Sequence, residues 1–409
     1  MAVFFKHMKT KLRDAIVERA SRHLLLKIEK LEKQLGIANK KADDLRMISE
    51  ELFYLSLASF ADANRIRFTD DLKGVACYRG IFDVVMSALP GLTWSREMEV
   101  KADACFLWGC RASDTNMNLV LKAARDKSTI VFCEDGFLRS ADTNVNPNVP
   151  ERFRHGCSVI FDQKGFYFDA TKPSTIEDML NDRTLVLTDE QRREARRVMD
   201  LIVSNKLTKY NHQPIYVPEV GRKGRRKVLV VDQSYGDFAI RKGWGSEQTF
   251  MDMLETAKKE NPDADILVKT HPDAMTGMRT GYYDNVKEEG NVYRVTIPIN
   301  PYSLMEQVDK VYVCSTQLGF EALMAGKDVY VAGMPFYAGW GLTEDRQVNP
   351  RRTNRRSLEE VFYIFYMMYT HWVDVKTGKP CTIDQAIANL IELREDYAKE
   401  LQRQKSNEN

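Results

Sequence analysis

Short apolar runs alternate with helical stretches over most of the chain. Between about 100 and 220 the runs are Ala104–Trp108, Thr129–Cys133 and Ser158–Phe161, and Asp114 is predicted to cap a helix that ends near Lys127. A second series of runs covers 228–231, 266–268, 292–295, 311–313 and 329–331, with helices predicted at about 246–259, 301–308 and 317–326. Runs this short and apolar, separated by helices, predict the buried strands of parallel sheets.

Helices are also predicted at both ends of the chain. Apolar side chains share one face of a helix over about 9–60, namely Val17, Leu24, Ile28, Leu31 and Leu35. We expect this helix to pack on its own domain; a short coiled coil and a membrane-surface helix using residues 4–9 are the alternatives. At the other end, helices are predicted at about 356–372 and 383–403.

A charged helix at about 188–206 is followed by Pro214, Pro218 and the basic run Gly221–Arg226, and we place the boundary between domains here. We interpret the basic run as a linker; phosphate or lipid-headgroup binding by this run is the alternative. The sequence therefore predicts four segments, listed here in order: an N-terminal helical segment (1–60), a first Rossmann-like half (61–220), a second Rossmann-like half (221–375) and a C-terminal helix (376–409). Two such halves with terminal helices favour an α/β fold of the GT-B type, which binds ligands in the cleft between its domains.

Composition narrows the class of protein. The 409 residues include 60 Lys+Arg and 58 Asp+Glu, a net charge of +2, which argues against a nucleic-acid partner because such binders usually carry a basic excess. The sequence has no apolar run of about 18 residues and no secretory signal pattern at its start. The seven cysteines lack C-x-x-C spacing. We therefore expect a cytoplasmic protein without a metal or cofactor.

Polar segments follow four of the predicted strands, where α/β sheets bind their ligands. In the first half, the segment Glu134–Ser140 holds two carboxylates, Glu134 and Asp135, together with Arg139 and Ser140. Such a set suits a polyol and a carboxylate, since arginine binds carboxylates with two parallel hydrogen bonds. A turn with a local ion pair is the alternative.

In the second half, Asp232 directly follows a run of four apolar residues, so we expect it at the rim of the cleft. A carboxylate at this position can act as a nucleophile or a base. The alternative is that Asp232 forms a turn or a cap. Lys269 and His271 end another run and suit a phosphate. In a last segment, Ser315 or Thr316 is predicted to cap a helix whose free N–H groups attract phosphate, and Glu321 one turn later suits a ribose; capping alone is the alternative.

These segments resemble the bacterial β-Kdo glycosyltransferases of the capsule-synthesis superfamily, the KpsC and KpsS kind, which transfer the sugar acid Kdo. The matching text is Glu134–Ser140, Asp162–Asp169 with Pro173 and Ser174, Lys269–Pro272, Ser315–Leu323 and the very specific Gly333–Thr343. The match runs in the expected order from about 100 to 345. It is closest to the Kdo-transferase module of an O-antigen synthesis enzyme, which implies that the chain is cut from a longer polypeptide.

The resemblance implies a GT-B fold and CMP-β-Kdo as donor, with the β configuration retained. It places the CMP site on Lys269, His271, Ser315, Thr316 and Glu321, and the Kdo-facing residues on Glu134, Asp135, Arg139 and Ser140. We also expect donor contacts from Gln233, Ser234 and Gln317. The three glycines of the Gly333–Thr343 match favour a shaped loop near the donor over simple packing, and no role for Tyr337 or Trp340 follows from the sequence.

Retention by two successive inversions requires a carboxylate that attacks the anomeric carbon while CMP leaves. We expect Asp232 to be this nucleophile, Glu134 or Asp135 to deprotonate the acceptor, and Lys269 and His271 to offset charge on the leaving phosphate. Glu134 or Asp135 as the nucleophile is the rival assignment.

The expected partners are CMP-Kdo and a saccharide acceptor, either a lipid-linked O-antigen intermediate or a capsule primer, with further transferase modules in the same polypeptide. Peripheral association with the inner face of the cytoplasmic membrane is expected to accompany a lipid-linked acceptor. Two other classes stay open. One is a different sugar-nucleotide enzyme, such as a sialyltransferase-like protein or an epimerase. The other is a saccharide-binding module without catalytic activity.

Overall fold

The computed structural model describes residues 38, 40–42, 44–54, 57, 66–69, 71–76, 82–110, 113–143, 149–216, 219–271 and 280–407. The chain divides after Ser49 into two compact units. The described residues before this point, 38, 40–42 and 44–49, are helical. The predicted apolar face from Val17 to Leu35 and the end at 4–9 lie outside the described residues.

Two sheets organise the unit that follows. The strands, numbered in chain order, are β1 (Lys73–Val75), β2 (Thr93–Ser95), β3 (Ala104–Trp108), β4 (Thr129–Asp135), β5 (Ser158–Asp162), β6 (Lys227–Val231), β7 (Asp265–Lys269), β8 (Val292–Val295), β9 (Lys310–Val313), β10 (Asp328–Val331), β11 (Glu344–Asp345), β12 (Thr370–Asp374) and β13 (Lys379–Pro380). The first sheet has the order β13-β12-β5-β4-β3-β1-β2, and the second sheet has the order β11-β10-β9-β6-β7-β8.

Helices fill most of the connections. They are α1 (Phe82–Ala88), α2 (Asp114–Asp126), α3 (Thr175–Asn181), α4 (Asp189–Ser204), α5 (Phe238–Lys242), α6 (Glu247–Glu260), α7 (Pro301–Met305), α8 (Leu318–Met324), α9 (Leu358–Phe362) and α10 (Ile383–Asn407), with a 3₁₀ turn at Glu151–Phe153 and a π-helix at Tyr363–Tyr369. The cap of α2 is Ser113, whose Oγ accepts from the N–H of Asn116 at 3.2 Å, rather than the predicted Asp114.

The second sheet is the more regular of the two. All its strands are parallel, and β6 and β7 are buried along their whole length. Helix α6 covers one face with Phe250, Met253 and Leu254. This burial explains the unbroken apolar runs in the sequence, because a parallel sheet covered on both faces has no solvent-facing positions.

The prediction of a parallel sheet is wrong in part of the first half. Strands β1 to β4 are parallel, but β5 runs antiparallel to β4, with Asp135 opposite Val159. The described residues between β4 and β5 hold only the 3₁₀ turn, and a parallel return needs a longer crossover, usually a helix.

The predicted helix at 356–372 is also shorter than expected. It consists of α9 and the π-helix, and the chain then becomes strand β12, which pairs antiparallel with β5 in the first sheet. The chain thus returns to the first sheet after building the second. A single apolar core contains residues from both halves, and Phe137 of the first half packs on Phe336 and Phe365 with ring centroids 5.2 and 4.5 Å apart. The four predicted segment boundaries stay a prediction.

The basic run Gly221–Arg226 lies at the edge of the second sheet where β6 and β7 begin. Arg222 donates from Nε to Asp265 Oδ1 at 2.8 Å, and Arg226 pairs with Asp309 at 3.3 Å. Asp265 is fully buried, so Arg222 neutralises it. Since ligands of such sheets meet the opposite strand ends, these arginines support the fold at the edge away from the cleft.

Candidate active site

Two adjoining cavities lie where strands β6, β7 and β9 end. The first cavity, of about 220 Å³, reaches Tyr167 and Phe168 of the first half and Asp237 of the second. The second cavity, of about 180 Å³, is lined by several charged side chains, including Asp232, Lys269 and Glu321. Four residues line both cavities: Lys209, His271, Thr316 and Gln317. The shared lining joins the two cavities into one cleft.

The backbone of residues 281–283 fixes the carboxylate of Asp232. Its Oδ1 accepts from the N–H groups of Gln233 and Tyr282 at 2.8 and 2.9 Å, and Oδ2 accepts a longer bond of 3.4 Å from Tyr283. A Cβ on Gly281 would lie 2.2 Å from Oδ2, so only glycine allows this approach. Burial raises the pKa of Asp232 to about 7, although the backbone donors act in the opposite direction. Asp232 is therefore a held carboxyl group that titrates near neutrality.

Lys269 lies in the second cavity with two acidic neighbours. Burial lowers its pKa to about 8, while the charges of Glu321 and Asp232 favour the ammonium form. The carboxylate of Glu321 accepts from Thr208 Oγ1 at 2.7 Å and from Gln317 Nε2 at 2.9 Å, and burial raises its pKa to about 7. These contacts occupy Oε1 of Glu321 and connect the segment after α4 to helix α8.

His271 and Ser234 form the wall between the cavities. Ser234 Oγ lies 3.1 Å from His271 Nδ1, and both residues line the first cavity. Next to them Gln233 holds the end of β9: its Oε1 accepts from the N–H of Ser315 at 3.0 Å and its Nε2 donates to Ser315 Oγ at 3.4 Å. The predicted donor contacts Gln233, Ser234, His271 and Ser315 are thus brought together.

The start of α8 differs from the sequence prediction. The N-cap residue is Gln317, without a capping side-chain bond, while Thr316 Oγ1 accepts from the N–H of Leu318 at 3.3 Å. Gln317 Nε2 instead donates to the carbonyl oxygen of Phe137 at 2.8 Å. Gln317 thereby connects the second half to the predicted sugar-facing segment of the first half.

The predicted sugar-facing segment is arranged as a buried charge network. Arg139 donates from Nε to Asp135 Oδ1 at 2.7 Å and from Nη1 to Ser140 Oγ at 2.8 Å and the carbonyl oxygen of Arg154 at 2.7 Å. Arg139 is 2% exposed and Ser140 is fully buried. Glu134, Asp135, Arg139 and Ser140 are not among the described residues that line the two cavities. Their predicted contacts with the sugar stay a prediction.

Glu134 is the one acidic residue of this segment without an arginine partner among the described residues. Burial raises the pKa of Glu134 to about 7. The charge of Lys209 lowers this pKa, and the charges of Asp135 and Asp237 raise it further. Lys209 and Asp237 line the first cavity, so Glu134 lies within electrostatic reach of that cavity.

Sequence reasoning missed Lys209 and Asp237. Asp237 caps α5 by accepting from the N–H of Ala239 at 2.9 Å, and the motif Asp-x-Ala at a helix start would have identified the cap but not the cavity. Lys209 lies between α4 and the segment that we interpreted as a linker, and no local pattern distinguishes it from other surface lysines. Only the fold brings it into the cleft.

The glycine-containing segment Gly333–Thr343 lines the first cavity and is also well packed. Phe336 and Tyr337 are buried and line the cavity, and Tyr337 OH donates to the carbonyl oxygen of Thr316 at 2.7 Å. Gly339 and Gly341 have φ angles of +84° and +87°, a backbone conformation that favours glycine. The segment is therefore a loop shaped by glycines and also part of the core, and its position near the donor stays a prediction.

Across the described part of the chain, no cluster of three or more His, Cys, Asp or Glu side chains is arranged to hold a metal ion. Asp263 and Asp265, which match a metal motif in sequence, pair with Arg225 and Arg222. A search of the described helices also finds none that is long and apolar enough to cross a membrane.

Sequence comparison gives one family and several relatives. The family described as capsule polysaccharide biosynthesis protein matches residues 103–375. The capsule polysaccharide modification protein LipA of Neisseria meningitidis serogroup B is 35% identical over 303 residues, which cover 72% of this chain and 42% of LipA. The lipopolysaccharide-processing protein LpsZ of Rhizobium meliloti is 34% identical over 302 residues, which cover 73% of this chain and 66% of LpsZ. The chain therefore spans less than half the length of the LipA protein.

Two solved structures are similar over most of this chain. The β-Kdo 2,4-transferase of KpsC from Thermosulfurimonas dismutans is 34% identical, with a TM-score of 0.69 over 78% of this chain and 98% of that one. The β-Kdo 2,7-transferase of the same KpsC is 25% identical, with a TM-score of 0.55 over 79% of this chain and 99% of that one. These similarities confirm the α/β fold class of the GT-B type and the resemblance to the KpsC and KpsS superfamily.

Proposed function

The chain belongs to the capsule polysaccharide biosynthesis family, and from this membership and the geometry of the cleft we propose that it is a glycosyltransferase that moves Kdo from CMP-β-Kdo to a hydroxyl of a bacterial surface polysaccharide. The observation that carries the proposal is the meeting of Asp232, Lys269 and Glu321 in one cavity at the strand ends of the second sheet. A carboxylate held beside a buried cation suits the displacement of an anionic leaving group.

The second half supplies the CMP site in this proposal. Lys269 and His271 end β7 and face the cavities, where they offset the charge of the leaving phosphate. Ser315 and Thr316 follow β9 and provide polar groups on the opposite wall. Gln233 holds the backbone N–H of Ser315 and Tyr337 holds the carbonyl oxygen of Thr316, which supports a site that is assembled before the donor binds.

The proposed mechanism retains configuration through two displacements. A carboxylate oxygen of Asp232 forms a bond to the anomeric carbon of Kdo while the bond to the phosphate oxygen breaks, and CMP leaves with the electron pair. The acceptor oxygen then attacks the same carbon, the ester to Asp232 breaks, and the proton of the acceptor hydroxyl passes to a base. Asp232 Oδ2 is the less engaged oxygen, since it accepts one bond of 3.4 Å.

Glu134 is the base in this scheme. Asp135 is less suited to the role, because its Oδ1 accepts from Arg139. A pKa of about 7 lets Glu134 take up a proton near neutral pH, which suits a general base. No metal is required, since CMP is a good leaving group.

Intact-mass spectrometry tests the mechanism. Wild-type protein mixed with CMP-Kdo in the absence of acceptor is expected to gain the mass of one Kdo unit and to release CMP, and Asp232→Asn is expected to gain none. Asp284→Asn is the matched control, because it removes a neighbouring carboxylate that lines neither cavity and still offers an oxygen to the N–H of Gly281. CMP release without an adduct, or an adduct that persists in Asp232→Asn, would contradict the Asp232 assignment; peptide mapping then tells whether Glu134 or Asp135 carries the sugar.

The acceptor and the place of the enzyme in the cell are part of the same proposal. We propose a lipid-linked glycan acceptor of either the capsule or the O-antigen type, reached from the cytoplasm at the membrane surface, with further transferase modules in the natural polypeptide. The relatives include a capsule polysaccharide modification protein and a lipopolysaccharide-processing protein, which supports both acceptor types. A panel of synthetic acceptors followed by NMR of the product linkage distinguishes them.

A further inference from the structure

Lys209 lies at the junction of the two cavities, and the fold fixes its position from both sides. Its carbonyl oxygen accepts from the N–H groups of Arg139 and Ser140 at 3.1 and 3.2 Å. The preceding residue, Thr208, donates from Oγ1 to Glu321 in the second half. The backbone at Lys209 is therefore held from both halves, and the residue lines both cavities.

The ammonium group of Lys209 has few partners within the fold. Among the described residues, one carboxylate oxygen lies within 4 Å, Asp135 Oδ2 at 3.9 Å, which is beyond hydrogen-bond distance, and the ring of Tyr210 lies 5.8 Å away. An ammonium group has three N–H donors, and its side chain here is only 27% exposed. Burial alone would lower the pKa of Lys209, whereas the charges of Tyr210, Asp135, Tyr167 and Glu134 raise it above its ordinary value, so the group stays charged.

Other buried lysines of the chain are used differently. Lys122 pairs with Asp126 at 2.6 Å and also donates to the carbonyl oxygen of Val100. Lys242 donates to Glu51 at 2.6 Å. Their ammonium groups are satisfied by the protein, whereas Lys209 lines both cavities and its ammonium group has no hydrogen-bond partner among the described residues. This contrast identifies Lys209 as a cation available to an anion in the cleft.

The donor of the proposed reaction carries two anions on one carbon. The anomeric carbon of an ulosonic acid such as Kdo bears both the leaving phosphate and a carboxylate, whereas ordinary hexose donors bear no carboxylate there. Lys269 and His271 approach from the second half and suit the phosphate. Lys209 approaches from the side of Glu134 and Asp135. Two separate cations therefore match two separate anions.

We propose that Lys209 binds the carboxylate of the donor sugar and thereby selects an ulosonic acid over neutral sugars. The inference rests on the proposed function, because it concerns the donor of that reaction. A charge-assisted hydrogen bond at this position also holds the sugar ring against rotation, so that its anomeric carbon stays in reach of the nucleophile. Glu134 and Asp135 keep Lys209 in place without occupying its donors.

Comparison of CMP with CMP-Kdo tests the inference, because CMP has the phosphate and lacks the sugar carboxylate. For Lys209→Gln we expect a Kd for CMP within about twofold of wild type by calorimetry, and a KM for CMP-Kdo raised roughly tenfold to a hundredfold in a CMP-release assay, since loss of one partner of a desolvated charge pair typically costs this much or more. Lys209→Arg is expected to recover part of the loss. Lys206→Gln is the matched control, because Lys206 lies in the same segment and pairs with Glu306.

Three results would overturn the inference in distinguishable ways. Equal losses of CMP and CMP-Kdo binding in Lys209→Gln would assign Lys209 to the phosphate. Unchanged kinetics in both Lys209 variants, with a lowered Tm, would assign it to stability. Wild-type protein that neither binds CMP nor releases it from CMP-Kdo would contradict the proposed function itself, and the inference would fall with it.

Discussion

The end of strand β4 and the ends of strands β6 and β7 carry similar sets of charged residues, yet the fold uses them differently. At β4, Asp135 and Arg139 pair with each other at 2.7 Å and are buried. At β6 and β7, Asp232 and Lys269 are equally buried, but both line a cavity, and Asp232 is held by backbone N–H groups instead of a cation. The first region is neutralised internally, whereas the second keeps its charges facing the cleft.

The difference shows that sequence can place a charged residue at the end of a strand. It does not tell whether the charge of that residue faces the cleft or a neighbouring side chain. Arg139 stands four residues after Asp135, so the two side chains form an ion pair within their own segment. Asp232 has no cation nearby in sequence, so its neutralisation depends on the loop at 281–283 and on burial, which raises its pKa to about 7. An internal counter-charge therefore favours a structural role, and its absence favours a functional one.

Among the variants that test this comparison of strand ends, we expect the largest effect from breaking the buried pair at the end of β4, which should lower the stability of the protein. Arg139→Met leaves Asp135 buried without its main partner, and we expect the free energy of unfolding to fall by about 3–5 kcal/mol, the typical cost of breaking a buried pair. Denaturant titration measures this. The double variant with Asp135→Asn removes the unpaired charge and is expected to recover part of the loss. A stable Arg139→Met protein that no longer binds CMP-Kdo would reverse our assignment of the two regions.

A smaller effect is expected at β7, on affinity. Lys269→Met should weaken CMP binding by about 2–3 kcal/mol in calorimetry, because the phosphate loses a desolvated cation. Lys227→Met is the matched control: Lys227 is also buried in the same parallel sheet, but it begins β6 at the opposite edge. Equal losses of CMP affinity in the two variants would show that Lys269 acts only through the stability of the sheet.

The smallest effect is a pH dependence at β6. The carboxyl of Asp232 has a pKa of about 7 in the fold and about 4 when unfolded, so its ionisation lowers stability as pH rises from about 4 to about 7. Asp232→Asn removes this loss, and its free energy of unfolding relative to wild type should increase by about 1–2 kcal/mol between pH 5.5 and pH 6.5, because the loss amounts to about 1.4 kcal/mol per pH unit between the two pKa values. A difference that is constant with pH would show that the burial of Asp232 does not raise its pKa.

Sequence patterns located strands β3 to β10 because burial leaves an apolar run, as in β6 and β7, and they did not predict β1, β2 or β11 to β13. The same reasoning failed for β5 and β12, since strand direction depends on what fills a connection and on which edge is vacant. The position of Asp232 at the end of β6 could be predicted. Lys209 could not, because its place in the cleft results from contacts with Arg139 and Ser140 that are distant in sequence.

The described strands pass from the first sheet to the second and back again, so two chain segments join the halves of the molecule. The helices beside these segments are fastened together: Arg192 of α4 donates to Glu360 of α9 at 2.9 Å, and Arg197 of α4 pairs with Asp384 of α10 at 2.8 Å. Any widening of the cleft must bend both segments at once, on the side where the helices are tied. Two connections tied together in this way restrict independent movement of the two sheets, and twisting of one sheet over the other would strain both connections.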